Sequence, residues 1–289
     1  MNESIMRKKN RIADKAVYGL ICLSAAVSVA LLVGIIGYVF VKGLRAVNWD
    51  FLTGVTSAVK GTTGIAGNIV NTLYMIVITL LIAAPVGIGS AIYLNEYAKP
   101  GRLVRIIEMN TEILAGIPSI LYGLFGMVFF GTTLKLGYSI LTGSLTLTLM
   151  VLPLITRNTQ EALKTVPESY RSAALGLGTA KWHMIRTVLL PSAMPGILTG
   201  IILAVGRIVG ESAALLFTAG SGYYLPKNGQ WLHKIGESGG TLSVQLYLSM
   251  SKGQYETAFG IAAVLLVIVL GINLLTKLLT RGLNAGRKK

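Results

Sequence analysis

Arg207 and Glu211 pose the sharpest chemical question in the sequence, because they interrupt a run of otherwise apolar or small residues from Ala204 to Ala219. A charge left in lipid costs several kcal/mol, so each side chain must face protein, water or the other. At spacing i, i+4 the two share one face of a continuous helix, where a side-chain pair forms readily. Two readings stand. In one, the pair neutralises itself and ties helices together. In the other, Arg207 faces a pathway and meets an anion, with Glu211 holding the guanidinium until that anion arrives. A guanidinium suits a phosphate group because its planar fork donates two parallel hydrogen bonds while matching charge. Ionisable groups inside membrane segments are functional by default, which favours the second reading.

A second concentration of informative residues lies between Glu161 and Pro191. Pro167 suits the first turn of a helix, and Glu168 follows where the positive end of the helix dipole favours an acid. Ala173 and Ala174 give that helix a smooth surface. Gly178 ends it, and Lys181 to Met184 lead into a second helical piece running to Leu190. The product is a helical knob outside the membrane, able to seat in a partner's cleft; spacing alone equally allows an ordinary amphipathic connector. Further back, Gly116 and Pro118 flank a break that could unwind a turn and aim backbone groups at a pathway, or could be a packing kink satisfied by neighbouring helices. His183 and His233 have no acids or cysteines at ligand spacing, so neither is assigned to a metal and both are expected to face solvent.

These groups need helices in a bilayer to position them. Of the 289 residues, 53% are apolar and only 13% charged, a balance far from that of a soluble domain. Six apolar segments approach the ~20 residues needed to cross a hydrocarbon core. They run from Val17 to Val41, Ile69 to Leu94, Ile113 to Leu134, Ile140 to Thr156, Val188 to Phe217 and Ala258 to Lys277. The fourth is shortest, and its helix is expected to continue past Pro153 and Arg157 toward Leu163. The stretch after Met6 to Arg11 is longer than a signal core and lacks a clear cleavage site, so it is read as a retained first span.

The net charge of +15 does not gather on one soluble face, which argues against a nucleic-acid partner. Cationic residues instead cluster before the first span, at Lys99 to Arg105, from Arg157 to Arg186 and after the last span. Only Lys42, Arg45, Lys60, Lys135, Lys227, Lys234 and Lys252 fall on the other side. The excess of about two and a half to one places both termini in the cytoplasm by the positive-inside rule. The outer loops, Lys42 to Asn68 and Ala219 to Thr257, carry no soluble domain's core. Trp49, Tyr223, Tyr224 and Trp231 read there as interfacial anchors, with a docking surface for an external binding protein as the sharper alternative. Cys22 is the only cysteine, so no intrachain disulfide or thiol cluster is possible. No Gly-x-x-x-x-Gly-Lys-Ser/Thr loop is present, and any ATPase must be another polypeptide.

The segment Ser172-Ala173-Ala174, followed by Gly178 and then Val188-Leu189-Leu190-Pro191, resembles the Glu-Ala-Ala, Gly, Ile-x-Leu-Pro signature of bacterial ABC importer permeases. Ser172 replaces the usual acid and Val188 the isoleucine, with the spacing kept. Tyr93 to Tyr97, Ile117 to Gly126 and Gly210 to Ala219 are together similar to the phosphate-specific permeases of that family, and closer to their A subunit (PstA) than to their C subunit. The family's Gly-Glu-Thr-Ala-Pro-Leu-Leu reads Gly210-Glu211-Ser212-Ala213-Ala214-Leu215-Leu216 here. The likeness extends from about Ile65 to Leu279.

The resemblance implies an all-α integral membrane protein of the type I ABC importer permease (MetI-like) fold. The domain expectation is residues 1–64 for the cytoplasmic N-terminus, first helix and external loop, 65–280 for the permease core with a coupling loop at 157–187, and 281–289 for a basic cytoplasmic tail. It implies that Glu168, Ser172, Ala173, Ala174 and Gly178 belong to a coupling helix docking on the ATPase, Ser172 costing one contact of the usual acid. Arg157 and Arg207 match arginines important for phosphate passage, one at the inner mouth and one within the membrane, giving an anion successive resting places; Arg157 also fits a positive-inside anchor. Implied partners are a homologous PstC-like permease, two PstB-like ATPases that bind ATP and Mg, and an external PstS-like phosphate-binding protein, all at the bacterial cytoplasmic membrane. The chain itself is then no enzyme and holds no cofactor. Rival readings are a permease for sulfate or molybdate, or a secondary carrier without an ATPase; the Gly178 to Pro191 spacing and the lack of a visible inverted repeat oppose the carrier.

Overall fold

A computed structural model describes residues 12–57, 62–99, 101–226 and 229–285. Arg7, Lys8, Lys9, Arg11, Lys60, Lys227, Arg287, Lys288 and Lys289, all counted in the charge tally, lie outside the described residues. Among the described residues the regular structure is helical apart from one two-stranded antiparallel pair. Helix α1 (Ile12–Gly43) is followed by the short α2 (Trp49–Thr53) and by strands β1 (Val55–Ser57) and β2 (Thr62–Ile65), which pair antiparallel. Asn48 starts α2 by accepting a hydrogen bond from the Phe51 amide through Oδ1 at 2.7 Å. Helix α3 (Ala66–Ile92) continues through a wider π turn, Tyr93–Tyr97.

Next come α4 (Arg102–Gly116) and α5 (Ser119–Gly126), the latter extended by a π turn over Met127–Thr133. Helix α6 (Ile140–Lys164) begins at Ser139, whose hydroxyl accepts from the Thr142 amide. It runs past Pro153 to Lys164, as the expected extension toward Leu163 requires. The connection that follows holds α7 (Glu168–Gly176) and α8 (Lys181–Met184), joined by a π turn, Ile185–Leu189, to α9 (Leu190–Gly210). Helices α10 (Ala213–Thr218), α11 (Leu242–Ser251) and α12 (Tyr255–Ala285) complete the chain.

Among the described residues five helical stretches are long and apolar enough to cross a membrane, and the bent pair α4 and α5 makes six if it counts as one broken span. Two of the expected spans therefore need correction. The third is not one rod from Ile113 to Leu134, because α4 and α5 meet at 99° and Ile113 to Gly116 belong to the other arm. Pro118 cannot donate a backbone hydrogen bond and pushes Ile117 into an extended conformation, which sets the corner. The fifth does not run unbroken from Val188 to Phe217, because α9 ends at Gly210 and Glu211 is extended, with ψ 123°.

Helix α6 is the axis of the bundle. Of its most apolar stretch 67% is buried, against 0% for α1, which touches the rest through α12 and offers Leu20, Leu23, Leu31 and Val33 outward. Gly43 of α1 sits directly on the Phe259 backbone, and Tyr38 meets the Phe259 ring edge-on at 5.6 Å. Gly196 and Gly200, four residues apart on α9, face α6. A β-carbon on either would stand 2.6 Å from Cβ of Ala162 or Asn158 respectively, so the two helices pack backbone against backbone as small residues allow in membranes. Gly200→Val is expected to cost on the order of 1–3 kcal/mol through overpacking, read as a lowered melting midpoint in detergent; an unchanged midpoint would show that α9 can back away.

The stretch from Ala219 to Thr257 also departs from expectation. It is not merely a loop of anchors, because Leu242, Ser243 and Val244 of α11 are buried and Asn68 and Asn71 of α3 donate to its Gly240 carbonyl. Lys234, counted from sequence among the cations of the outer side, is 2% exposed and bonded to Glu237 at 3.2 Å. Hydrogen bonding and charge from Lys234, followed by His233, hold the Glu237 carboxyl below its ordinary range. Trp49, Tyr224 and Trp231 are exposed, whereas Tyr223 is half-buried with its ring against that of Tyr224.

Candidate functional site

The two breaks meet. Glu211, buried to 9% exposure, turns its carboxylate onto the start of α10, where Oε1 accepts from the Ala214 amide at 3.1 Å. Its own carbonyl accepts from the Ser243 hydroxyl at 2.6 Å, tying the break to α11. Ala214 in turn lies against α5, where a β-carbon on Gly123 would stand 2.8 Å from Ala214 Cα. On the α5 side, the Tyr122 hydroxyl donates to the Leu114 carbonyl at 2.8 Å, adding to the Ile117 amide that donates to the same carbonyl at 3.2 Å where Pro118 supplies no i+4 donor. Polar side chains thus hold both broken ends: Tyr122 at the first, Glu211 and Ser243 at the second. Tyr122→Phe should loosen the corner by about 1 kcal/mol, measurable as faster amide exchange near Leu114; unchanged exchange would mean the corner is held elsewhere.

Arg207 sits one turn before the second break. It lies on an exposed face of α9 with Leu203, Gly206 and Gly210, while Ala204, Val205, Ile208 and Val209 face the core. Arg207 is near enough for its charge to act on Tyr122 of α5. The geometric pairing expected with Glu211 is not what the structure shows. The i, i+4 relation presumes continuous helix, and the chain leaves helical geometry at Glu211, whose carboxylate is taken by the Ala214 amide. Among the described residues no ion pair joins the two. Glu211 is a buried acid whose carboxylate caps the start of α10, and Arg207 presents its charge outward from this chain.

Arg157, near the far end of α6, is bonded to Glu112 of α4 at 3.4 Å, and both side chains are more than half exposed. Sequence reading missed Glu112; its signal is the pair Glu108 and Glu112 at i, i+4 on a helix whose other residues include Ile106, Met109 and Ile113. An exposed pair of this kind contributes little, so Glu112→Gln should alter thermal stability by no more than about 1 kcal/mol.

At the same end, α7 forms the anticipated knob. Pro167 stands just before its first residue, Glu168. Gly178 lies two residues beyond the helix rather than ending it, with φ +75°, a conformation that favours glycine. Ser172 and Ala173 are exposed, whereas Ala174 packs inward with Val166, Met184 and Ile185. Tyr170, Leu175, Leu177 and Trp182 extend the exposed surface, Leu177 at 86%. A group of large apolar side chains held out on a polar connection is the kind of patch that a partner covers. Beneath α7 lies a cavity of ≈ 440 Å³ lined in part by Glu96, Lys164, Arg171 and Lys181. His183 is exposed, and His233 bonds Glu237 at 3.2 Å. No group of three metal-ligating side chains occurs among the described residues.

Broken apolar helices, one with Arg207 and Glu211 at its break, and a helical knob at one end are features that fit a membrane permease. The chain belongs to the binding-protein-dependent transport system inner membrane component family, whose model matches residues 83–289, and it is therefore a permease subunit of an ABC transporter. It is 41% identical over 210 residues to the probable ABC transporter permease protein YqgI of Bacillus subtilis (strain 168), covering 73% of this chain and 71% of that one. It is 30% identical over 280 residues to the phosphate transport system permease protein PstA of Haemophilus influenzae, covering 96% and 97%. Among solved structures, a MetNI methionine ABC transporter chain in an inward-facing conformation superposes with TM-score 0.59 at 21% identity over 76% of this chain and 94% of that one. A chain of a bacterial alginate ABC transporter superposes with TM-score 0.66 at 15% identity over 93% and 96%. These two establish the fold.

Proposed function

We propose that this permease forms half of the translocation pathway of an ATP-driven phosphate importer. The observation that carries the reading is Arg207, a cation within an apolar span, exposed away from its own chain's core one turn before a helix break. Near full-length similarity to a phosphate permease supports phosphate over other oxyanions. The exposed face of α9 is where a second, homologous permease would complete the pathway, and a guanidinium there can grip an oxyanion through two hydrogen bonds.

The α7 end faces the cytoplasm, consistent with the excess of cations in the connections at that end. There α7 meets one of two copies of an ATPase that binds ATP and Mg, while an external binding protein delivers phosphate to the α11 end. ATP binding closes the ATPase pair, moves α7 and opens the pathway outward so that phosphate reaches Arg207; hydrolysis returns the permease inward, past Arg157. In such a cycle Arg157 exchanges Glu112 for the passing anion.

Extraction of the tagged chain in mild detergent is expected to bring down an ATPase and a second permease. Recovery of the chain alone from membranes that contain both would contradict the assignment and favour a carrier.

A further inference from the structure

Arg171 is committed to a task that docking does not explain. Although it lies on α7, its side chain is only 13% exposed, and that of Glu96 only 5%. Nε and Nη2 donate to Glu96 Oε1 at 3.3 and 3.0 Å, Nη2 also donates to the Leu163 carbonyl at 3.1 Å, and Nη1 donates to the Val166 carbonyl at 3.0 Å and Glu168 Oε2 at 3.1 Å. Those contacts match the five N–H groups of a guanidinium in number. They join three elements: the π turn ending α3, the end of α6 and α7 itself. Glu96 is held from its own turn as well, with Asn95 Nδ2 donating to its carboxylate at 2.7 Å, and from α8, with Lys181 Nζ donating to its carbonyl. Lys181 also lies over the Tyr97 ring at 4.9 Å.

A buried ion pair adds little net stability over an apolar replacement, and what it can supply is a fixed geometry. Here the geometry it fixes is between α7 and α3. Helix α3 packs along α6, with Gly87 close against Ile155, and runs to the opposite end, where Asn68 and Asn71 grip the loop before α11. We propose that the Glu96–Arg171 pair is the clasp that turns movement of α7 into movement of α3, so that it couples ATP hydrolysis to opening of the pathway. Both are positioning residues, and the inference rests on the reading of α7 as the ATPase contact. The exposed residues Ala173, Leu175 and Leu177 do the docking, and the pair beneath transmits the displacement.

The test measures ATP hydrolysis and phosphate uptake together in proteoliposomes holding the complete transporter. With Glu96→Gln, the ATPase should still co-purify and hydrolysis should stay within about twofold of wild type, while ATP consumed per phosphate imported rises at least tenfold. Glu96→Asp, which keeps the charge, should recover most of the coupling, and Arg171→Lys should fall between because it keeps one charged contact but not the fork. An unchanged ratio in Glu96→Gln would overturn the proposal, as would a parallel fall of hydrolysis and uptake or loss of the ATPase, since either would make the pair a support for docking. If Glu96→Gln fails to accumulate, the Arg171→Lys ratio decides, and a wild-type value would overturn it. Failure of the wild-type complex to retain an ATPase would instead sink the underlying functional reading. Coupled import of a different oxyanion would leave the clasp testable with that ion.

Discussion

Arg207→Ala is expected to reduce phosphate uptake by roughly 100-fold or more while the transporter still assembles. A bidentate guanidinium contact donates two charge-assisted hydrogen bonds, each worth about 1.5–3 kcal/mol, and each 1.4 kcal/mol is a factor of ten in binding. Because Arg207 lies on the exposed face of α9 and the core-facing residues are Ala204, Val205, Ile208 and Val209, its truncation opens no cavity in the subunit. Lysine at this position keeps charge but loses the planar fork, so Arg207→Lys should retain partial uptake with a weakened preference for phosphate. Normal uptake by Arg207→Ala would reduce the residue to a support between subunits. By contrast, Glu211→Gln should act through structure: the amide oxygen can still accept from Ala214, so assembly should persist and uptake fall far less than in Arg207→Ala.

The second large effect is expected at α7. Ala173→Glu places a bulky charge on the exposed face without touching the core and should release the ATPase, read as its loss from the purified complex and as hydrolysis that no longer responds to the binding protein. Ala174→Glu is a different experiment. Ala174 is 9% exposed and packs with Val166, Met184 and Ile185, so an acid there buries a charge and should destabilise the knob itself. Firm ATPase binding by Ala173→Glu would refute the docking role of this face.

The places where sequence and structure part company share a physical cause. Gly116 and Pro118 announce their corner because proline removes a donor and constrains its predecessor, both local effects. The break at Glu211 gives no such signal: hydropathy runs straight through Gly210 and Ser212, and the carboxylate's use as a cap appears only once α10 and α11 are in place. An i, i+4 argument assumed the helix whose continuity was in question. Lys234 misled for a related reason, since counting cations by segment assigns a side to a charge but not an environment, and its burial depends on Glu237 three residues on.

The number of spans and the knob between α6 and α9 were readable from apolar run length and from Pro167 and Gly178, because those features act over a few residues. Glu96 and Arg171, 75 residues apart, had no common signal in one sequence. Glu96 was part of a motif and Arg171 one cation in a tally, and only packing of α3 against the end of α6 brings them together.

Uptake of labelled phosphate by proteoliposomes containing this permease, its partner permease, the ATPase and the external binding protein tests the central claim most directly. The account predicts accumulation that requires ATP inside, survives a large excess of sulfate and disappears with Arg207→Ala. Accumulation that proceeds without ATP, or that sulfate suppresses as well as unlabelled phosphate does, would contradict it.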